Sequence, residues 1–199
     1  MCRSIPEGRA SRMFFIKKNG KGGHAMFSQG DHIVYGSSGL CEITEIGNSP
    51  FDASDTRIFY ALHPVLSAST TMIYTPVDNS AVVMRPPMTK SQAKALVEKM
   101  QTIPPLTVEH EKLRRDIYRT ALNTADPEKL VSLLRTVALR RLETLRHGRR
   151  LTDADTDNER RARNNLLGEL SLSLGVSHDE ISGLLHRMFA PEAQPLPAE

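Results

Sequence analysis

Tryptophan is absent from this chain, and aromatic residues together make up 5% of it. A core here must be built mainly from aliphatic side chains, and no site can rest on an indole. Cysteine is almost as scarce. Cys2 and Cys41 cannot make a disulfide framework, and no C-x-x-C is present to suggest zinc. No apolar run approaches the roughly 18 residues of a membrane span. The short "MFFI" near the start falls below the roughly 7–15 residues of a secretory core. A cytoplasmic protein without a membrane partner is expected. The fingerprints GxGxxG, GxxxxGK[ST] and HExxH are missing. Histidines 24, 32, 63, 110, 147, 178 and 186 are scattered without ligand spacing. "GSSG" at 36–39 departs from the GxSxG of a nucleophile elbow and reads as a turn. Asp153, Asp155, Asp157 and Glu159 lack the glycine and terminal glutamate of a calcium loop, and read as the negative first turn of a helix. No enzyme, metal or cofactor is expected.

What is present is divided. Residues 1–25 are basic, and are expected to be a disordered arm or a start placed too early, with Met26 the true beginning. Residues 26–86 hold two basic residues, Arg57 and Arg85, against the acids Asp31, Glu42, Glu45, Asp52, Asp55 and Asp78. Lysine and arginine then dominate 109–150. The +3 net charge therefore hides an acidic part and a basic part, which suggests two surfaces for two partners.

The periodicity changes at the same place. "DHIVYG", "GLCEITEIG", "TRIFYALHPV" and "STTMIYTPV" are short, β-branched or aromatic, and bounded by turn residues. "AVVMRP" can be a last strand before Pro86-Pro87. Strands about ten residues apart suggest a small curled sheet or barrel. From Thr89 the pattern is helical. Thr89 with Gln92 forms a capping box, with Ala93, Leu96, Val97 and Met100 inward. A second helix is expected from about Thr107 to Asn123, with Leu113, Ile117 and Leu122 on its buried side. Asp126-Pro127-Glu128 starts a third, buried through Leu130, Val131, Leu134, Val137, Ala138 and Leu145, and stopped at Gly148. Thr152 with Asp155 opens a long helix to Gly175, and Ser177 with Glu180 opens the last. The tail "APEAQPLPAE" is expected to be disordered. The domains so drawn are 26–86 and 87–188, flanked by an arm at 1–25 and a tail at 189–199.

"MFSQGDHIVYGSSGLCEITEI", "IFYALHP", "TTMIYTPVDN", "RRDIYRTALNTADPEKLVSLLRTV" and "NERRARNNLLGELSLSLGVSHDEI" occur here in one order. In that order and spacing the chain resembles the CarD family of bacterial transcription factors, over roughly residues 26–188. The same module serves as the RNA-polymerase-interacting domain of the transcription-repair coupling factor. The resemblance implies an α+β protein, a small Tudor-like barrel followed by an all-α domain. It implies that the barrel docks on the RNA polymerase β subunit by strand addition. It further implies that the helical domain lies on promoter DNA near the upstream bubble edge, as a monomer and without sequence readout, and modulates the open complex. A protein-only adaptor that never touches DNA is the alternative.

Carried onto this chain, the polymerase-binding set is Arg57, Met72, Ile73, Tyr74, Thr75 and Pro76, with the Ile73 N–H as a donor on the free edge. The DNA-binding set is Lys112, Arg114, Arg115, Arg119, Arg140, Arg141, Arg146, Arg149 and Arg150. Lys112, Arg115 and Arg119 share a helical face, with Leu113 and Ile117 turned toward the core. A bland reading pairs these arginines with Glu109, Glu111, Asp116 and Glu143 on a solvated surface. The chain departs from the family pattern in two places. No tryptophan stands where many members carry a minor-groove wedge; Glu111 or a neighbour does. Tyr74 occupies a place where an arginine is frequent. DNA contact would then lean on phosphates.

Overall fold

The computed structural model describes residues 27–52, 54–66 and 71–189; the expected N-terminal arm and most of the expected tail lie outside the described residues. Five strands come first: β1 (His32–Tyr35), β2 (Gly39–Asn48), β3 (Ile58–Pro64), β4 (Ile73–Pro76) and β5 (Met84–Arg85). Five helices follow: α1 (Lys90–Lys99), α2 (Arg114–Asn123), α3 (Pro127–Arg146), α4 (Asp153–Leu174) and α5 (His178–Phe189). The α+β class is as expected. Among the described residues no helix is long and apolar enough to cross a membrane.

The strands form one antiparallel sheet in the order β4-β3-β2-β1-β5. Its hydrogen-bonded ladder ends at β4 and β5, so among the described residues it is an open sheet and not the closed barrel expected. It is nevertheless curled. Ile73 from β4 and Met84 from β5, at opposite ends of the ladder, pack on one core of Ile33, Cys41, Ile43, Tyr60 and Leu62. Asn79 spans the gap, its Nδ2 donating to Thr75 Oγ1 at 2.8 Å and to the Tyr35 hydroxyl at 3.4 Å. Burial pushes the Cys41 thiol up to about 12, which keeps it protonated and inert.

Strict alternation fails in β1 and β2 for a physical reason. Side chains along a strand point to opposite faces, and here both faces are covered. Ile33 and Cys41 enter the sheet core, while Val34 and Leu40 form a second small cluster with Ala125 at the end of α2. Gly39, between them, has φ +72° and ψ −142°. A Cβ there would stand 2.3 Å from Asn165 Oδ1 on α4. Only glycine suits both that backbone and the close approach.

A buried ion pair joins the two halves. Arg85 of β5 donates to both carboxylate oxygens of Glu169 on α4, at 2.5 and 2.8 Å. Its Nε and a terminal nitrogen also donate to the Ala125 carbonyl, at 2.9 and 2.7 Å. The Met88 amide donates to Glu169 at 2.8 Å. Ala125 takes φ +50°, a left-handed conformation rare for a residue with a Cβ, and its carbonyl meets the Arg85 guanidinium. Glu169 is 1% exposed, and each of its oxygens is satisfied, as a buried carboxylate requires.

Four of the five helices start where the sequence places them. Thr89 and Gln92 form the capping box of α1; Asp126 caps α3 ahead of Pro127; Thr152 caps α4; Gly175 ends it with φ +71°. Ser177 accepts from the Glu180 amide at 3.3 Å at the start of α5. Four expectations are corrected. The second helix does not begin near Thr107: a short 3-10 turn at Glu111–Leu113 precedes α2, which starts at Arg114. Leu113, in that turn, is 48% exposed rather than inward. Leu145 on α3 is 57% exposed, because the last turn of α3 runs past the helices that cover the rest. Phe189, assigned to the tail, is a buried core residue of α5.

Replacing Glu169 with alanine strands the Arg85 guanidinium against the Ala125 carbonyl. Such a change costs several kcal/mol where both partners are buried. Arg85 keeps some exposure, so chemical denaturation of Glu169→Ala is expected to show a loss of about 2–4 kcal/mol.

Candidate functional site

Strand β4 is an edge. Among the described residues its only ladder is with β3, in the register Phe59↔Pro76, Tyr60↔Thr75, Ala61↔Tyr74 and Leu62↔Ile73. The Val77 amide donates to the Ile58 carbonyl at 2.9 Å, one step beyond this register. Residues of an antiparallel ladder alternate between bonding inward and outward. Counting back from Val77, Thr75 and Ile73 turn their amides toward β3, whereas Tyr74 turns its N–H and C=O to the open side. Pro76 shares the outward set and has no N–H to leave unmet. The free donor is therefore that of Tyr74, which corrects the expectation for Ile73.

The side chains sort in the same way. Thr75 is 1% exposed, is held by Asn79 and turns its backbone to β3, so it presents nothing to the open side. Met72, Ile73 and Pro76 are partly covered, and Tyr74 is open. The Tyr74 ring meets Phe51 of the β2–β3 loop edge-on, with centroids 5.4 Å apart and planes at 86°. Arg57 lies at the start of β3, beside the end of β4. Its guanidinium stacks 5.6 Å above the Phe59 ring and grips Asp55 through Nε at 2.9 Å and a terminal nitrogen at 2.7 Å. The hydrogen bonds from Arg57 hold the Asp55 carboxyl below its usual range.

The basic residues of the helical half fall into two groups. Asp155, 1% exposed, binds Arg114 Nε at 3.1 Å and Arg140 Nε at 3.3 Å, and accepts from Thr152 Oγ1 at 2.8 Å. Glu111 binds Arg140 at 2.6 Å and also Arg114. Glu159 binds Arg141 and, at 3.2 Å, Arg163. Arg119 pairs with Asp116 at 2.8 Å on the exposed face of α2. Arg114, Arg140 and Arg141 thus tie α2, α3 and α4 together.

Lys112, Arg115, Arg146, Arg149 and Arg150 are exposed and make no ion pair among the described residues. Lys112 lies in the 3-10 turn before α2 and Arg115 in its first turn, while Arg146, Arg149 and Arg150 surround the turn between α3 and α4. Among the described residues Glu109 and Glu143 hold none of the arginines. Sequence reading missed Asp155 and Glu159 as the organisers of this network. Their visible signals were the Thr152-x-x-Asp155 cap and the Glu159-to-Arg163 spacing; the cross-helix partners come only with packing.

The bonding parity makes a direct stability test. Ile73→Pro deletes an amide that bonds to β3 and is expected to cost about 3 kcal/mol in chemical denaturation. Tyr74→Pro deletes an outward amide and is expected to cost about 1 kcal/mol.

An open, aromatic-flanked strand edge is a surface for adding another chain's strand. No curated protein matches the chain. The family described as the CarD-like/TRCF RID domain matches residues 27–88, which is the curled sheet with its edge β4 and the Arg85 clasp. The chain therefore carries a CarD-like/TRCF RID domain, a module whose presence implies interaction with RNA polymerase.

Proposed function

We propose that this chain is a non-catalytic, cytoplasmic transcription regulator that docks on the RNA polymerase β subunit through β4 and rests its helical half on promoter DNA. The observation that carries the reading is the unpaired outward edge at Tyr74, inside the matched domain. Strand addition to such an edge gives affinity from backbone hydrogen bonds, and the alternate side chains give specificity. The curled sheet, with both end strands on one core, suits the Tudor-like barrel that the resemblance implies. Polymerase binding would survive Arg115→Ala and fail in Tyr74→Pro.

The helical half would lie near the upstream edge of the transcription bubble, acting as a monomer. Binding the open complex more tightly than the closed one shifts promoter opening by that difference in affinity. Without a tryptophan wedge, contact would rest on phosphates and be indifferent to base sequence. Of the expected DNA-binding set, Lys112, Arg115, Arg146, Arg149 and Arg150 are free to make it; Arg119 would first have to leave Asp116.

The second reading is a protein-only adaptor that binds polymerase without touching DNA. Its support is that Arg114, Arg119, Arg140 and Arg141 already face acids. Salt dependence separates the two. Affinity for a forked promoter duplex, followed by fluorescence anisotropy across a salt series, is expected to fall steeply for the parent. In Lys112→Ala/Arg115→Ala the slope of log affinity against log salt should shrink by about two, at about 0.9 per lost phosphate contact. A parent that does not bind DNA, or a variant with an unchanged slope, favours the adaptor.

A further inference from the structure

The matched domain holds two lysine or arginine residues, Arg57 and Arg85. Both are engaged, Arg57 with Asp55 and Arg85 with Glu169. Among the described residues of that domain no unpaired lysine or arginine is left to lead a contact with an acidic partner. What the edge does present is apolar. Phe51, at 77%, is the most exposed of the large apolar side chains described, and Tyr74 beside it is 39% exposed.

Phe51 is also held in place. Its loop closes on itself: the Phe51 and Asp52 amides donate to Ser49 Oγ at 3.3 and 3.2 Å, and Asp52 accepts from the Ser54 amide and hydroxyl at 2.8 and 2.7 Å. A ring fixed in advance loses little entropy on being covered, and rigid aromatics beside a polar rim are the side chains that dominate interfaces. Because Ile73 and Thr75 face the sheet core, Tyr74 faces the other way, and Phe51 meets it there. A strand added beside β4 would bring every second side chain to that outer face.

Resting on the docking reading above, we propose that the Phe51–Tyr74 pair is the anchor of this edge. Its partner is an extended strand of RNA polymerase that lays an apolar side chain against the two rings. The contact is apolar rather than ionic, so the docking step is nearly insensitive to salt.

The test measures binding of the full chain to core RNA polymerase at about 0.1 M and about 1 M salt, where the screening length falls from about 10 Å to about 3 Å. The parent is expected to change by less than about threefold. Phe51→Ala is expected to weaken binding about tenfold or more at both salt concentrations, as a buried aromatic anchor does. Phe51→Leu should recover part of the loss. Phe51 lies in an exposed loop, so circular dichroism should show both variants folded. If Phe51→Ala binds like the parent while Tyr74→Pro does not, the edge docks without this anchor and the proposal is overturned. A parent whose binding collapses at high salt overturns it as well. A parent that binds at neither salt concentration overturns the docking reading together with the anchor.

Discussion

The placement of the sheet against the helices depends on the contact between Arg85 and Glu169. The first belongs to the last strand of the sheet and the second to the longest helix. Two hydrogen bonds between them leave no freedom to rotate, and the Ala125 carbonyl and Met88 amide occupy the remaining positions. A fully exposed pair would contribute little. This one is largely withdrawn from water and flanked by the Val34–Leu40–Ala125 cluster, the Gly39–Asn165 approach and the Asn165 bond to the Ser37 carbonyl, so the interface is close-packed around it. In the proposed reading, a polymerase edge and a DNA surface are useful together only if one is fixed relative to the other. This clasp supplies that constraint.

The same logic governs charge in the helical half. A surplus of arginine could be wholly given over to a polyanion, or wholly neutralised. Here it is split. Asp155 and Glu159 take four arginines, and three of them, Arg114, Arg140 and Arg141, hold α2 and α3 against α4. Arginine suits that task because its planar fork can meet two acids at once, as Arg140 meets Glu111 and Asp155. Five cations outside the network, Lys112, Arg115, Arg146, Arg149 and Arg150, lie near the start of α2 and around the α3–α4 turn. The sheet half holds no such surplus: both of its arginines are spoken for, and its open edge is aromatic.

Much of this was legible in the sequence because it is local. The caps at Thr89, Asp126 and Thr152, the glycine at 175 and the four longer strands depend on neighbours within a few residues, and the structure places them as read. The misreadings are tertiary. Leu113 and Leu145 keep helical spacing with buried leucines, but burial needs a covering element and none reaches them. Asp155 and Glu159 read as ordinary first-turn acids because the cross-helix arginines they hold lie 15 to 41 residues away in the chain. Tyr74 rather than Ile73 faces outward because strand parity is set by pairing with β3, which a single strand does not reveal. Phe51 was invisible as a functional residue: one aromatic in a turn means little until Tyr74 is found beside it.

The central claim is that β4 is an open edge that another chain completes, and one amide reports on it. In the free chain the Tyr74 N–H bonds to nothing in the sheet, whereas those of Ile73 and Thr75 face β3. Amide hydrogen exchange, followed for the chain alone and for its complex with RNA polymerase, reads that amide directly. The account expects Tyr74 to exchange fast in the free chain and to become strongly protected in the complex, with Ile73 and Thr75 slow in both. Fast exchange at Tyr74 in the complex, with new protection elsewhere in the sheet, would contradict it.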